Sequence, residues 1–325
     1  MPANNLVLYG LNRLGPYNIG SHAEYVRKSG FTTVVMGMLH IGNPAVKSTT
    51  QLGDIIFNGD EPLVIRDGAP PFPLVEGRQK AECEAWPGEI AGLKDPSSPV
   101  TKIYASVGGA AGIVRDFETI KAIYEANKNT FDNTGLERNF RALKRLFPAI
   151  DGIDMDCEET YDLPSFVAFC VMLQKIGFDL TFCPFSHFEQ EFWVNALFAL
   201  HELSLLRYVK WVNLQCYAGG SRNIPEEWAT AIGKRFRQPP LKDFVVPGRA
   251  ARFKNDEGNW DGECPQTIAE EFSKYRKDLF SSGFIWEMDL IIATENGKDK
   301  DKACSPGEPI TLAAYAGALK KGLGG

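Results

Sequence analysis

The chain alternates between two kinds of segment along its 325 residues. Eight short apolar runs have the length and composition of buried strands, and an amphipathic stretch with helical periodicity follows each of them. The strand candidates are 6–12, 32–40, 101–107, 150–158, 178–184, 209–217, 244–248 and 283–290. The helical stretches are 22–29, 79–93, 117–147 (interpreted as two helices), 163–176, 189–206, 225–236, 265–279 and 311–321. This pattern predicts an α/β protein with a (β/α)8 barrel, also called a TIM barrel.

We expect a single domain over residues 1–325, because no linker, low-complexity tract or repeat divides the sequence. A doubly wound open sheet is the alternative, but it requires a glycine-rich phosphate turn after an early strand, and the sequence has none. The segment 42–78 is too long for a plain connection, and its apolar runs 54–57 and 63–65 predict an extra hairpin after the second strand. The seventh and eighth strands lie close in sequence, so no large insertion is expected between them.

The composition is that of a globular protein with a small-molecule ligand. Hydrophobic residues make up 44% of the chain and charged residues 23%, which is ordinary for a folded enzyme. The net charge of −6 provides no basic surface for nucleic acid or for an anionic membrane, so we expect neither partner. No apolar run is long enough for a transmembrane helix, and the chain is expected to act as a monomer.

The seven cysteines are odd in number and form no CxxC pair. Three of them, Cys157, Cys183 and Cys216, lie in predicted strands, where a buried thiol behaves as a small hydrophobic group. We therefore expect no disulfide framework. The N-terminal residues lack the basic and apolar regions of a signal peptide, which is compatible with a cytoplasmic protein or with a secreted one whose signal has been removed.

The fourth predicted strand is unusual because it contains four acidic residues, Asp151, Asp154, Asp156 and Glu158. Side chains alternate between the two faces of a strand, so the last three acids share one face and Asp151 lies on the other. Neighbouring acids on that face are about 6.5–7 Å apart along the strand, and their mutual repulsion raises the pKa of at least one. This arrangement predicts a hydrolase site with a general acid beside a carboxylate, whereas Asp151 is expected to be structural.

In a barrel of this type, the functional groups lie at the C-terminal ends of the strands. Several predicted strands end in polar, aromatic or glycine residues. Besides the acids, these residues are Tyr9, Ser106, Gly108, Gly109, Tyr217, Arg249 and Trp286. The sequence therefore predicts one mouth of the barrel that combines carboxyl groups, aromatic rings and a tyrosine hydroxyl.

The segment DGIDMDCE at 151–158 resembles the DxxDxDxE signature of family-18 glycoside hydrolases. The segment SVGG at 106–109 resembles the SxGG element that the same family has on its third strand. Tyr217 after the sixth strand and Trp286 on the eighth also match the family pattern, in the same order along the chain. This resemblance extends over a whole barrel and implies a hydrolase of β-1,4-linked N-acetylglucosamine.

The resemblance implies a role for each matching residue. Glu158 would protonate the glycosidic oxygen and later activate water. Asp156 would hold the 2-acetamido group of the substrate, whose carbonyl oxygen attacks the anomeric carbon, and the configuration there would be retained. Asp154 would lie deeper and share a proton with Asp156. Tyr217 would donate a hydrogen bond to the acetamido oxygen, and Trp286 would form the floor under the sugar.

The remaining candidates for substrate binding are Tyr9, Ser106, Gly108, Gly109 and Arg249, although Arg249 also fits a surface ion pair. We expect no metal and no organic cofactor, because the resemblance implies a nucleophile supplied by the substrate. The sequence also has no ligand spacing typical of a zinc or calcium site.

The sequence departs from the family at 218–220, where Ala-Gly-Gly follows the tyrosine and family chitinases usually have Asp or Asn. Three functions remain open. The first is a chitinase, and the second is an endo-β-N-acetylglucosaminidase that cleaves the chitobiose core of N-glycans. The third is a sugar-binding barrel without activity, which the presence of Glu158 disfavours.

Overall fold

The computed structural model describes residues 5–58, 63–70, 77–110 and 115–325. Its strands are β1 (Leu6–Gly10), β2 (Thr33–Ile41), β3 (Ile55–Phe57), β4 (Leu63–Ile65), β5 (Lys102–Gly108), β6 (Gly152–Asp156), β7 (Asp179–Phe182), β8 (Val209–Gln215), β9 (Val245–Ala250), β10 (Phe253–Lys254), β11 (Trp260–Asp261) and β12 (Gly283–Trp286). Its helices are α1 (Ile19–Arg27), α2 (Gly77–Gly92), α3 (Asp116–Ala126), α4 (Gly135–Leu146), α5 (Leu163–Ile176), α6 (Gln190–Glu202), α7 (Pro225–Phe236), α8 (Pro265–Ser273), α9 (Met288–Glu295) and α10 (Leu312–Gly322).

Eight parallel strands close into a barrel in the order β1-β2-β5-β6-β7-β8-β9-β12. The ring closes where β12 pairs with β1, with Leu6 opposite Gly283. Each barrel strand is followed in sequence by at least one helix, and the predicted stretch 117–147 forms the two helices α3 and α4. The predicted single-domain (β/α)8 barrel is therefore confirmed.

The two faces of the barrel strands bury different kinds of residue. On β6, Ile153 and Met155 are fully buried in the large apolar cluster between the strands and the helices. Asp154 and Asp156 are buried on the opposite face, inside the barrel. A smaller interior cluster of apolar and aromatic side chains forms the floor beneath these acids. It comprises Val7, Tyr9, Val35, Tyr104, Cys183, Trp211, Val246 and Phe284. The predicted separation of the two faces of the fourth strand is confirmed.

Local sequence signals fix the ends of the helix that follows the acidic strand. The side chain of Asp162 accepts a hydrogen bond from the Ser165 amide and so caps the start of α5, where Pro164 occupies the first turn. The same helix ends at Gly177, whose φ of 103° is in the left-handed region that favours glycine. These signals set the two ends of α5.

The predicted hairpin after the second strand is also present. Strand β3 pairs antiparallel with the end of β2, where Leu39 is opposite Phe57, and β4 pairs antiparallel with β3. Most of the turn between β3 and β4, residues 59–62, lies outside the described residues. Between β9 and β12 the chain forms the short antiparallel ribbon β10–β11 and helix α8, so no large insertion is present there. The ribbon itself was not predicted.

The eighth predicted strand, 283–290, is too long. Strand β12 ends at Trp286, and Glu287 is the N-cap of α9. The Glu287 carboxylate accepts hydrogen bonds from the amides of Asp289 at 2.8 Å and Leu290 at 3.2 Å. Apolar and polar residues alternate here as they do in a strand, but capping satisfies the amide groups and allows the helix to begin. No described helix is long and apolar enough to cross a lipid bilayer.

The expectation about disulfides is wrong for one pair of cysteines. Cys264 and Cys304 form a disulfide, with their Cα atoms 5.8 Å apart and a sequence separation of 40. The bond ties the N-terminal end of α8 to the loop between α9 and α10. The free cysteines among the described residues are all buried, and they are Cys83, Cys157, Cys170, Cys183 and Cys216. The long separation of the bonded pair left no local spacing motif from which to predict it.

We expect that replacing Cys264 and Cys304 with serine lowers the free energy of unfolding, by up to about 4 kcal/mol for a closed loop of this length. The physical reason is that the unfolded chain gains conformational freedom when the cross-link is lost. Urea unfolding of both proteins, with and without a thiol reductant, measures the effect. Reductant should destabilise the parent protein and leave the double variant unchanged; equal stabilities under all conditions would contradict the prediction.

Candidate functional site

Asp154 lies at the centre of the barrel mouth and is fully buried. Its carboxylate accepts four hydrogen bonds, each from a different strand. Oδ2 accepts from the Tyr9 hydroxyl at 2.9 Å and from Ser106 Oγ at 2.8 Å. Oδ1 accepts from Thr181 Oγ1 at 2.6 Å and from Asn213 Nδ2 at 3.1 Å. These contacts connect β6 to β1, β5, β7 and β8.

The four donors occupy the acceptor positions of the Asp154 carboxylate and favour its ionised form. Burial raises the pKa of Asp154, and the hydrogen bonds to the carboxylate oppose that increase. The sharing of a proton between Asp154 and Asp156 stays a prediction from the family resemblance; the structure shows that both oxygens of Asp154 accept hydrogen bonds from other side chains. Tyr9 and Ser106 are also fully buried, so they position Asp154 and do not line the open mouth as the expected substrate contacts would.

Asp156 and Glu158 are joined by the side chain of Gln215, a residue that was not among the predicted site residues. Gln215 Nε2 donates to Asp156 Oδ1 at 2.9 Å and to Glu158 Oε1 at 3.1 Å. Burial, followed by the charges of Glu158 and Asp154, raises the pKa of Asp156 well above its usual range. Asp156 therefore keeps its proton to a higher pH than an exposed aspartate, in the direction that the spacing of the acids predicts.

Tyr217 and Trp286 form an aromatic wall beside the acids. Their rings are 6.3 Å apart with 22° between the ring planes, and both side chains are half-buried. Burial and the nearby charges of Asp156 and Glu158 raise the pKa of Tyr217 well above its usual value, so its hydroxyl remains a donor. An apolar face next to hydrogen-bonding groups is the combination that aromatic side chains offer to a sugar ring.

Gly108 and Gly109 allow β5 to approach the acidic strand closely. Their φ angles are 114° and 112°, in the left-handed region. A Cβ atom on Gly108 would lie 2.0 Å from the Asp156 carbonyl oxygen, and Gly109 N donates to that oxygen at 2.9 Å. Both glycines are buried, so the structure assigns them the role of positioning the Asp156 backbone.

Arg249 was predicted as a substrate contact, with an ion pair as the alternative. Its guanidinium group is 3.4 Å from Glu263 and 3.5 Å from Glu271, and it donates to the Cys216 carbonyl at 3.1 Å and to the Tyr275 hydroxyl at 3.2 Å. The side chain is only 19% exposed. The structure therefore places Arg249 in a partly buried ion-pair network that joins the end of β9 to α8.

A cavity of about 370 Å³ lies between the aromatic wall and this ion-pair network. Tyr217 and Trp286 line one side, and Arg249, Phe253 and Glu263 line the other. Two buried atoms of the lining residues, Arg249 Nε and Glu263 Oε2, have no hydrogen-bond partner among the described residues.

Two acids close in sequence to Asp154, Asp156 and Glu158 lie outside this constellation. Asp151 accepts a hydrogen bond from the Ile103 amide at 2.8 Å and pairs with Lys94 at 2.6 Å, as expected for a structural residue. Glu159 accepts from the Phe117 amide at 2.6 Å at the start of α3. Burial raises the pKa of Glu159 to about 7. These contacts distinguish the two acids from the three that share the inner face.

Sequence reasoning missed Thr181, Asn213 and Gln215, although a signal for them exists. Asn213 and Gln215 have the same parity on β8 as Tyr217, and Thr181 has the parity of Cys183 on the neighbouring strand. Uncharged polar residues at inward positions of an apolar barrel strand indicate partners for a buried charge. Phe253 in the ribbon and Glu263 just after it carried no comparable signal, because they lie in the connection between β9 and α8 and not on a barrel strand.

No family model matches the chain, and no curated protein sequence matches it. Solved structures do match. A GH18 chitinase from Pseudoalteromonas aurantia aligns with a TM-score of 0.56 and 13% identity, over 92% of this chain and 98% of that one. The catalytic domain of a hyperthermophilic chitinase from Pyrococcus furiosus aligns with a TM-score of 0.56 and 12% identity, over 99% of this chain and 97% of that one. A Group IV chitinase from Ostrinia furnacalis, in complex with allosamidin, aligns with a TM-score of 0.52 and 12% identity, over 98% of this chain and 99% of that one.

The chain has a chitinase-like fold. At these identities the likeness extends to the barrel architecture over nearly the full length of each chain. The activity of the protein must be argued from its site, because the same barrel supports many chemistries.

We predict that Asp156→Asn becomes progressively more stable than the parent protein as the pH rises. The folded-state pKa of Asp156 is raised, whereas an unfolded aspartate titrates near about 3.9. Below about pH 4 the carboxyl is protonated in both states; above it the unfolded chain ionises first, which lowers the parent's stability by up to about 1.4 kcal/mol per pH unit. Asparagine does not titrate and avoids this loss.

Urea unfolding at several values between about pH 4 and pH 7 measures the difference, because this interval begins at the unfolded aspartate pKa. Asp132→Asn, at an exposed carboxyl, is the control and should show no such trend. A stability difference between Asp156→Asn and the parent that does not change with pH would contradict the assignment of a raised pKa.

Proposed function

We propose that this protein is a retaining glycoside hydrolase that cleaves β-1,4-linked N-acetylglucosamine polymers in the manner of a chitinase. The observation that carries the proposal is the pairing of Asp156 and Glu158 through Gln215, beside Tyr217 and Trp286 at the mouth of the barrel. The chitinase-like fold supports it. A carboxyl pair with one raised pKa, next to an apolar wall, suits acid-catalysed cleavage of a glycosidic bond.

In the proposed reaction, Glu158 donates a proton to the glycosidic oxygen as the bond to the anomeric carbon breaks. The carbonyl oxygen of the substrate's 2-acetamido group attacks that carbon and forms an oxazolinium ion. Asp156 accepts a hydrogen bond from the acetamido nitrogen and stabilises the positive charge, and Tyr217 donates to the acetamido oxygen. Glu158 then takes a proton from a water molecule as the water oxygen attacks the anomeric carbon. The bond from that carbon to the acetamido oxygen breaks, which restores the acetamido group and gives a product with the original configuration.

Asp154 supports this chemistry without contacting the sugar. Its negative charge lies beneath Asp156 and contributes to the raised pKa of that residue. The charge of Asp154 favours the protonated form of Asp156, and the positive charge of the oxazolinium ion favours its ionised form, so the two charges act on Asp156 in opposite directions. All the groups used in the proposed mechanism belong to the chain or the substrate, so no step requires a metal or organic cofactor.

The endo-β-N-acetylglucosaminidase alternative is supported by the openness of the cleft at the mouth of the barrel. On the side of the cleft between β9 and β12, residues 251–282 form only a short ribbon and one helix. Ala218 and Gly219 are exposed beside Tyr217, where a larger polar residue would narrow the cleft. An open cleft admits a branched glycan as well as a linear chitin oligomer.

We expect Glu158→Gln to lower kcat by roughly 10²–10⁴, because glutamine cannot protonate the leaving group. Binding of an N-acetylglucosamine oligomer, measured by calorimetry, should remain. Glu159→Gln is a matched control at the next residue, where the carboxyl bonds the Phe117 amide, and it should retain activity. Normal turnover by a folded Glu158→Gln variant would contradict the assignment of the general acid.

The decisive experiment for the substrate compares the products from a chitin oligomer, a high-mannose glycopeptide and a cellulose oligomer. A chitinase releases short N-acetylglucosamine oligomers that retain the β configuration. Release of the glycan with one N-acetylglucosamine left on the peptide, without cleavage of chitin oligomers, would favour the endo-β-N-acetylglucosaminidase. Cleavage of cellotetraose would exclude the substrate-assisted mechanism, because cellulose has no acetamido group. Binding of the oligomers without any cleavage would favour a sugar-binding barrel.

A further inference from the structure

We propose that Gln215 is a positioning residue of this hydrolase, which holds Asp156 and Glu158 side by side and lowers the pH range over which the pair loses its protons. The inference rests on the proposed function. Gln215 is the last residue of β8 and is 4% exposed. Its amide nitrogen is 2.9 Å from Asp156 Oδ1 and 3.1 Å from Glu158 Oε1.

The number of hydrogens on Gln215 Nε2 explains how one side chain bonds two carboxyl groups. A carboxamide nitrogen carries two hydrogens, which suffice for one hydrogen bond to each carboxyl group. The Cys183 sulfur, at 3.5 Å from the same nitrogen, is a weaker third contact. Since both carboxyl groups contact one rigid planar group, neither can turn away without losing a bond from a buried donor.

The titratable groups near Asp156 and Glu158 determine how Gln215 acts on the charge of this pair. The titratable groups that face the pair are Asp154 from β6, Tyr9 from β1, Tyr161 from the loop after β6, Cys183 after β7 and Tyr217 after β8. All of these groups are neutral or negative, and the described residues form no ion pair with Asp154 or Asp156. Gln215 is therefore a neutral donor to both carboxyl groups of the pair.

An uncharged donor suits an acid that must act repeatedly. A lysine or arginine at this position would lower the pKa of both carboxyl groups strongly and remove the proton that the leaving group needs. An apolar side chain would remove the hydrogen bond that Gln215 donates to each carboxyl group and raise their pKa values further. The amide donates one hydrogen bond to each carboxyl group and so stabilises negative charge on the pair without the strong shift that a cation would cause.

The test replaces Gln215 with methionine, which has similar length and shape but no donor. Carbon-13 labelling of the aspartate and glutamate carboxyl groups reports the titration of the pair by NMR, whether or not the protein is active. We expect the apparent pKa values of the pair to rise by about one unit, the effect of removing one hydrogen bond to a charged carboxylate. Both limbs of the pH profile of kcat should move to higher pH by a similar amount.

Leu214→Met is the matched control, because it places the same side chain one residue away on the fully buried outer face of β8. It should leave the titration and the pH profile unchanged. If Gln215→Met does not fold, Gln215→Asn serves instead: it keeps the amide but is one methylene shorter, so it reaches one carboxyl group. The expected shift is then smaller and in the same direction.

A fall in rate with unchanged carboxyl titration and an unchanged pH profile would overturn the inference, because a purely structural role predicts that result. A changed titration in a protein that cleaves none of the oligomers would refute the proposed function and leave the role of Gln215 supported.

Discussion

The buried charge of Asp154 is the constraint on which the site depends. A carboxylate in the interior of a protein is costly unless hydrogen bonds replace its lost water. Here four side chains from four other strands supply those bonds, and none of the four is charged. The barrel must close in the correct register for all four donors to reach Asp154, so the geometry of the mouth and the integrity of the barrel are linked.

The three acids of the inner face differ in burial and in hydrogen bonding. Asp154 is fully bonded and fixes the negative charge at the bottom of the site. Asp156 lies one step nearer the mouth, where burial and two neighbouring charges raise its pKa. Glu158 lies beyond the end of β6 and is half-buried, so it is the acid that a ligand reaches first. Burial decreases from Asp154 and Asp156 on β6 to Glu158 just beyond it, and this decrease gives the three acids different environments.

Inward-facing side chains on the strands next to β6 complete the site. Only some of them could be predicted from the sequence. The DxxDxDxE segment and the parity rule were sufficient to predict which acids face inward. The same rule applied to β8 would have selected Asn213 and Gln215, since both are polar residues in an apolar strand. The roles of Tyr9 and Ser106 could not be read in the same way, because a strand end indicates proximity to the mouth but not whether a side chain faces substrate or another residue.

The sequence by itself determined the (β/α)8 architecture, the hairpin after the second strand and the face on which the acids lie, because these follow from local periodicity. Tertiary structure alone decided the pairing of Cys264 with Cys304, the engagement of Arg249 by Glu263, and the placement of one Gln215 amide between two carboxyl groups. Each of these contacts joins residues at least 14 positions apart. Contacts at such separations depend on how the strands and loops meet in three dimensions, which no local pattern specifies.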